Sequence, residues 1–472
     1  MKRTELLFSV ILVPLDYCLL LLAAWLAYRL RFQASITELR PVLYDIPTYT
    51  YFRSAAMVAL LWVPIFALYG LYNRRSTDSF WPEAGRVLLA CTTGLVVIII
   101  AVFFKREFFS SRFILLVGAL LAVVLVIIGR MGVRILQHLL FRYGVGVHRV
   151  LVIGQNHMAD EIVAEIRRRP ELGYVVVAQL PAAAGTLTAM RQLGQGDKVD
   201  EIMFIEPEVE GAVRQQFYET CEECHLVFRY APDLLRSPIG ALAIEPDLGV
   251  PLIEVPETTI RGWNRVVKRT FDIISSSIAF LILWPLFIIL IIAVRLDSFG
   301  PAIYHSTRIG RNKKFTLYKF RSMQLKYCIG SDYGGETADE YYRRLVATAN
   351  VRRGPVPKIE NDPRWTRLGR WLRRWSLDEL PQLWNVWRGD MSLVGPRPHF
   401  PSEVAQYERH HHKVLAVKPG LSGLAQVSGR SDIDFDEEVR LDRYYIEHWT
   451  LLLDISILLR TVVAVFKPRR TL

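Results

Sequence analysis

Four apolar runs open the chain, at residues 6–27, 55–71, 87–104 and 113–128. A bilayer-spanning helix needs about 20 apolar residues, within roughly 17–25. The first run clears this. The second and third sit at its lower edge. The fourth reaches it only by continuing past Arg130, whose long stem could snorkel to the interface. The runs leave almost no polar face, which excludes helices of a soluble core. Asp16 falls inside the first run, where a carboxylate is costly, so it is predicted to face the other helices. Lys2 and Arg3 before an apolar run imitate a signal peptide. The run is too long for one and three more follow, so the first span is read as uncleaved. An even number of spans puts both ends on one side, and nine flanking Lys/Arg against six favour cytoplasmic termini.

The texture changes at His148. Residues 150–153 read as a buried strand ending in Gly154, then a helix over 158–169, strands at 174–178 and 201–205, a helix over 209–224 and a strand at 226–230. Strands alternating with helices predict a parallel, Rossmann-like sheet. Its phosphate turn should read G-x-G-x-x-G. Only Gly154 is present, and Asn156 stands where the second glycine lets backbone approach a pyrophosphate. The domain is therefore read as structural or regulatory. Cys221, Cys224 and His225 match a C-x-x-C-H pattern. No second cysteine pair completes a zinc site, and the reading is packing thiols.

A fifth apolar run spans 273–294, with Pro285 in its middle, Arg265, Lys268 and Arg269 before it and Arg295 after it. Hydropathy alone predicts a fifth span. The alternative is a re-entrant helix: a mid-run proline removes a backbone hydrogen bond and kinks the helix, and cations at both ends suit a segment that enters and leaves by one face. Further on, residues 351–374 carry eight Lys/Arg, with Trp365, Leu368, Leu372 and Trp375 at helical spacing, and Trp371, Trp384 and Trp387 nearby. Basic and aromatic residues on an amphipathic helix mark a membrane surface.

Charge sharpens this. The chain of 472 residues has a formal net charge of +12. The last 216 residues hold 34 Lys/Arg against 22 Asp/Glu, while the first 256 are balanced at 24 and 24. The basic part wants a polyanion, and beside five apolar runs that means phosphates at a membrane rather than nucleic acid. Mean hydropathy is +0.22. The five cysteines (18, 91, 221, 224, 328) are too scattered for a disulfide scaffold.

The basic part also carries the candidate chemistry. Lys319 and Arg321 alternate onto one face, as phosphate binders would. Asp378 and Glu379 follow Ser376 amid arginines. A helix start with Ser376 as cap and Glu379 closing a capping box is one reading. A carboxylate held ionised by cations and able to attack phosphorus is another, compatible one. Pro396 and Pro398 fix the backbone around Arg397, and a glycine-punctuated stretch from Gly420 ends in Arg430. His410–His412 read as a solvated or headgroup-facing patch, because consecutive side chains point apart.

Lys319 to Met323, Asn361-Asp362-Pro363-Arg364, Ser376 to Leu383, Gly389 to Pro398 and Gly420 to Arg430, in this order, resemble the bacterial sugar transferase family, the monotopic phosphoglycosyl transferases. The resemblance covers the chain from about Thr259, and the leading helices and degenerate nucleotide-binding-like domain are similar to its long form. It implies an integral membrane α/β protein: a four-helix transmembrane region (1–145), a Rossmann-like domain (146–256), and a re-entrant helix breaking at Pro285 plus a mainly helical catalytic domain (257–472). It implies transfer of a sugar 1-phosphate, galactose first and glucose as runner-up, from a UDP-sugar to undecaprenyl phosphate with Mg2+. Asp378 would be the nucleophile and a Mg2+ ligand, with Glu379 assisting. Lys319, Arg321, Arg373, Arg397 and Arg430 would hold phosphates or nucleotide, in a site shaped by Pro396. The setting would be the bacterial inner membrane, catalytic part facing the cytoplasm, in exopolysaccharide, capsule or O-antigen synthesis, with a homodimer as a further expectation. A membrane-tethered NAD-dependent sugar-nucleotide enzyme is opposed by the missing glycines. A non-catalytic assembly protein is opposed by the intact Asp378-Glu379 pair.

Overall fold

The computed structural model describes residues 3–39, 47–73, 80–104, 112–196, 198–207, 209, 211–224, 226–232, 252–255, 258–311, 313–330, 333–352, 354–357, 359, 362–429 and 433–466. The chain divides into two compact units: residues 1–210 with 228–254, and residues 211–227 with 255–472. His225, Asn361 and Arg430 lie outside the described residues, as do Lys2, Arg40, Arg74, Arg75, Lys105 and Arg106 of the charge count.

The first unit opens with long helices α1 (Arg3–Arg31), α3 (Thr48–Leu68), α4 (Phe80–Phe104) and α5 (Arg112–Arg142), with a short α2 (Ala34–Leu39) after the first. The four apolar runs lie on the four long helices, each long and apolar enough to cross a membrane. Helix α1 packs on α5 and α3, and α4 on both α3 and α5. Asp16 is fully buried, facing the neighbouring helices as expected. Arg130 corrects the reading of the fourth run. The helix does continue past it, yet the arginine does not snorkel. It is buried, with Nη2 2.5 Å from Asp16 Oδ2 and Nη1 3.1 Å from Glu83 Oε1. Nη1 also donates to Leu71 O at 2.9 Å, and Arg134 takes the other oxygen of Glu83. Two buried carboxylates and a free carbonyl outbid the interface, because an intramembrane charge settles where its partners are.

The Rossmann-like part is a sheet in the order β2-β1-β3-β4-β5, from β1 (His148–Ile153), β2 (Tyr174–Leu180), β3 (Glu201–Phe204), β4 (Val227–Tyr230) and β5 (Ile253–Val255). Strand β1 pairs in parallel with β2 and β3. Helix α6 (His157–Arg168) follows β1, and α7 (Ala184–Gln195), which the sequence pattern did not reveal, follows β2. The degenerate phosphate turn has a local cause. A Cβ on Gly154 would lie 2.3 Å from Ile205 O, so this glycine serves strand packing. Asn156 caps α6 through Ala159 N at 2.9 Å and donates to Ile205 O and Glu206 Oε1. Glu206 Oε2 accepts from Gln155 N at 3.4 Å. A carboxylate of the chain thus occupies the helix start that would receive a pyrophosphate.

The second unit is built on α9 (Trp263–Asp297), 35 residues with Pro285 inside it. That is about 52 Å at 1.5 Å per residue, against a hydrocarbon core of roughly 30 Å. A hairpin of β6 (Ile303–Ile309) and β7 (Lys314–Phe320) follows, then α10 (Gly335–Ala349), α11 (Arg367–Arg374) and α12 (Gln382–Arg388). The tryptophan-arginine segment is therefore two short helices, with Trp365 and Trp375 flanking α11. Strand β8 (Ser392–Val394) pairs in parallel with β9 (Gly420–Ser422). Helices α13 (Pro401–Val404), α14 (Leu424–Ser428), α15 (Phe435–Glu447) and α16 (Leu451–Phe466) complete the unit. Helix α8 (Gly211–Cys224) joins it through Lys413, which reaches Glu222 and Glu447. Cys221 on α8 is buried, and burial pushes its thiol well above the ordinary range, as suits a packing residue.

Polar bonds fix the start of α9. Lys268 Nζ donates to Asp454 Oδ2 at 2.7 Å and Tyr445 Oη at 2.9 Å. Asp272 Oδ1 accepts from Ser392 Oγ and Leu393 N, both at 3.0 Å. Near its other end, Leu290 and Val294 pack with Phe320, Leu372, Leu377 and Leu380.

The Asp16–Arg130–Glu83 cluster generates a stability prediction. Replacing Arg130 with leucine strands Asp16, and breaking a buried pair this way costs about 3–5 kcal/mol. Thermal unfolding of the detergent-solubilised protein should drop sharply for this variant. It should drop less for Asp16→Asn, which leaves Arg130 paired with Glu83. Wild-type unfolding of Arg130→Leu would remove the cluster from the account of the helix packing.

Candidate active site

Asp378 sits in a single 3₁₀ turn, Leu377–Glu379, between α11 and α12. Helix α11 is capped by Thr366, whose hydroxyl accepts from Gly369 N at 2.9 Å. It stops because Ser376 turns left-handed, at φ 56°, the one such non-glycine residue among those described. Serine there makes no side-chain cap, which replaces the capping-box reading. The left-handed conformation costs an L-residue about 1–2 kcal/mol. Strain of this kind persists where surroundings over-determine it, commonly at functional sites. Leu377 and Leu380 on either side pack into the α9 cluster, anchoring the turn on its apolar flank.

That turn buries Asp378, which is 5% exposed, and leaves Glu379 half-buried. Lys319, on β7, donates from Nζ to Glu379 Oε1 at 2.9 Å. The strand's place is set by a residue the sequence pattern did not single out. Asn385 on α12 is fully buried, accepts from Tyr318 N at 3.2 Å and donates to Thr316 O at 2.7 Å. It stands in for a neighbouring strand and holds β7 against α12. A polar residue between the apolar Trp384, Val386 and Trp387 was the available signal.

The predicted phosphate binders separate into groups. Arg373, at the end of α11, donates from Nε to Ser322 Oγ at 3.0 Å and lies over the Trp365 ring. Arg321 is turned the other way. It is 2% exposed, and its two terminal nitrogens donate to Phe299 O and Ser298 O at 2.6 and 2.7 Å, tying the hairpin to the end of α9. Alternation had placed it beside Lys319, but it lies just beyond β7, where alternation no longer holds. Asp362 and Arg364 form a buried bidentate pair that shapes their own loop.

Arg397 is exposed between two buried prolines. Its backbone is held by Gly420 N donating to Pro396 O and by Gly395 N donating to Ser422 O, both at 2.8 Å. Beneath it, Arg308 lies over the Phe400 ring, 3.8 Å from Glu403. Burial, eased by Glu403 and reinforced by Arg397, presses Arg308 down to about 10. His399 bonds Tyr407 and is held neutral by burial and the cations Arg397, Arg308 and Arg352.

Two carboxylates on one turn match the hard-oxygen donors that Mg2+ takes, usually one or two from the protein with phosphates supplying the rest. Asp378 and Glu379 fit such an ion. His410, His411 and Asp436 form a second cluster of ligand types, all within 4.8 Å. The histidines converge rather than point apart, because residues 409–416 wind as a 3₁₀ helix beside the start of α15. Glu408 N donates to His411 Nδ1 at 3.0 Å, which leaves the neutral ring's proton on Nε2, aimed at Asp436 Oδ1 at 3.0 Å. That is a hydrogen-bonded pair, without the lone pair a metal needs.

The model of the family described as bacterial sugar transferase matches residues 263–468, and one described as CoA-binding domain matches residues 67–186. The chain is 32% identical over 363 residues to an undecaprenyl-phosphate galactose phosphotransferase of Salmonella typhimurium, covering 70% of this chain and 71% of that protein. It is 30% identical to a UDP-glucose:undecaprenyl-phosphate glucose-1-phosphate transferase of Escherichia coli, covering 71% and 72%. A shorter relative, the exopolysaccharide production protein ExoY of Rhizobium meliloti, is 38% identical over 46% of this chain and 93% of its own length. With the Asp378-Glu379 turn, the apolar helices and relatives matched over most of their length, the chain belongs to the bacterial sugar transferase family and is a membrane-associated phosphoglycosyl transferase.

Proposed function

We propose that this enzyme transfers a sugar 1-phosphate, galactose 1-phosphate first and glucose 1-phosphate as the alternative, from its UDP-sugar to undecaprenyl phosphate. The products are undecaprenyl-diphospho-sugar and UMP, and the step initiates synthesis of an exopolysaccharide, capsule or O-antigen. The observation that carries the reading is the buried Asp378 on a strained turn, beside a Glu379 paired with Lys319.

Asp378 attacks the phosphorus bearing the sugar. A carboxylate–phosphorus bond forms, the bond to the bridging oxygen breaks, and UMP leaves with that oxygen. Glu379 then takes the proton of the lipid phosphate. A lipid phosphate oxygen attacks the same phosphorus and Asp378 is released as carboxylate. Splitting the reaction keeps the two anionic substrates from having to meet in one step. Lys319 balances Glu379 while it is ionised, and Arg373 and Arg397 would receive phosphate charge. Mg2+, held by Asp378, would neutralise charge on the diphosphate.

The re-entrant reading of α9 belongs to this proposal. Its first turns bond Tyr445, Asp454, Ser392 and Leu393, and its last turns pack on Phe320, Leu372 and Leu377. All these partners belong to one compact unit. Were α9 to span, the elements of this unit that hold its two ends would need to lie on opposite faces of the bilayer. A helix bent at Pro285 keeps them on one face, the cytoplasmic one, where UDP-sugars are made.

Two tests follow. UMP release with a panel of UDP-sugars identifies the sugar. Asp378→Asn should lower the rate by well over two orders, a barrier rise above about 2.7 kcal/mol, and Glu379→Gln should also be severe. Near wild-type UMP release by Asp378→Asn would sink the nucleophile. For topology, single cysteines at Arg261 and Ser306, in a background without the five native cysteines, should label from the same side of sealed vesicles. Pro285→Leu should favour a spanning form with lost activity. Labelling of the two probes from opposite sides in the Pro285 protein would overturn the re-entrant helix.

A further inference from the structure

A second group of cations gathers at the opposite end of α9 from the Asp378 turn. Arg269, in the second turn of α9, donates from Nη1 to Val386 O and from Nη2 to Trp387 O, both at 2.6 Å. It thereby closes the carbonyl end of α12. Gly389 follows as the left-handed cap, at φ 98°. A Cβ on Gly389 would lie 3.1 Å from Arg269 Nη2 and 3.3 Å from Lys418 Nζ. The guanidinium and the ammonium are therefore near neighbours across the space the glycine leaves. Arg265, one turn earlier on α9, also acts on the Lys418 charge.

Lys418 is the unusual member. It is half-buried, and no hydrogen bond or ion pair engages its ammonium among the described residues. Burial, then Arg269 and Arg265, press it down to about 8, against the pull of Asp272 and Asp390. Both carboxylates have other partners. Asp272 accepts from Ser392 and Leu393, and Asp390 lies 3.7 Å from Arg388 Nε. An ammonium crowded by guanidinium groups and partly out of water is costly. A bound oxyanion removes that cost, and a phosphate, with several acceptor oxygens, serves both kinds of donor.

The surroundings say where the phosphate comes from. Trp384 and Trp387 stack at 5.1 Å, both about half exposed, and Trp387 is the residue whose carbonyl Arg269 holds. Just past Asp272, α9 exposes Ile273, Ile274 and Ile278. Indole rings settle at the headgroup level, with apolar residues below them and cations beside them. We propose that Arg269 and Lys418, supported by the charge of Arg265 one turn earlier on α9, form a phosphate site for the headgroup of an anionic phospholipid, distinct from the catalytic turn. It lies at the first turns of α9 and the carbonyl end of α12, whereas the Asp378 turn packs on the far half of α9 at Leu290 and Val294. The inference rests on membrane association alone. It holds whether α9 spans or turns back, since the first turns of α9 lie at the interface in both cases.

The test uses wild-type full-length protein in vesicles of phosphatidylcholine, with or without phosphatidylglycerol. Lysines are acetylated across a pH series and quantified by peptide mass spectrometry, with the exposed Lys313 and Lys314 as internal reference. In phosphatidylcholine, Lys418 should react as a low-pKa amine. With phosphatidylglycerol, its labelling near neutral pH relative to the reference lysines should fall about tenfold, the change that a one-unit rise in pKa gives. Arg265→Gln should lose most of that protection while keeping UMP release. Equal relative labelling of Lys418 in both vesicles would overturn the site. Equal protection by inorganic phosphate in phosphatidylcholine vesicles would overturn the lipid assignment in favour of a soluble anion. Full protection in Arg265→Gln would overturn the cluster as the binding unit.

Discussion

The catalytic part depends on how α9 is held. Much of this helix is too apolar for water, yet its opening turns carry Lys268, Arg269 and Asp272, which lipid does not tolerate. The unit resolves the conflict by bonding those turns to its own polar elements: Lys268 to Asp454 and Tyr445, and Asp272 to the β8 backbone. Breaking either pair leaves a buried charge alone, a penalty of several kcal/mol. The site is built on the resulting platform. Helix α12 is docked by Arg269, β7 is held to α12 by Asn385, and the Asp378 turn is pinned between Leu377 and Leu380 against the far half of α9.

This arrangement supports the role proposed for Asp378 as nucleophile. Asp378 is buried on a turn whose conformation Ser376 makes costly, while its neighbour Glu379 keeps contact with Lys319 at a more open position. Two adjacent acids thus have different surroundings, the condition under which one can attack phosphorus and the other move a proton. The first unit shows the opposite use of a carboxylate. Glu206 fills the helix start of the Rossmann-like turn, where a nucleotide phosphate would otherwise bind. The fold is kept there without the usual glycines.

Much of the plan was legible in the sequence, because hydrophobic period and turn residues are local signals. The apolar runs and most of the alternating strands and helices lie where their patterns put them. What failed was partner identity. Asp16 facing inward could be read from its position, but its partner Arg130 lies 114 residues away and looked like an interfacial residue. Lys268 and Asp454, 186 residues apart, gave no sign of each other. Ser376 looked like a helix cap because serine usually is one, and only the chain's reversal at that point makes it left-handed. Arg321 kept the strand's alternation on paper while the strand itself had ended.

The central claim is that Asp378 carries the sugar phosphate during turnover. The most direct measurement is peptide mass spectrometry of the full-length enzyme after incubation with a competent UDP-sugar and Mg2+ in the absence of undecaprenyl phosphate. The account predicts a hexose-phosphate adduct on the peptide containing Asp378, formed with release of UMP, discharged on adding the lipid phosphate and absent from Asp378→Asn. UMP release that occurs only once the lipid acceptor is present, with Asp378 unmodified throughout, would contradict it.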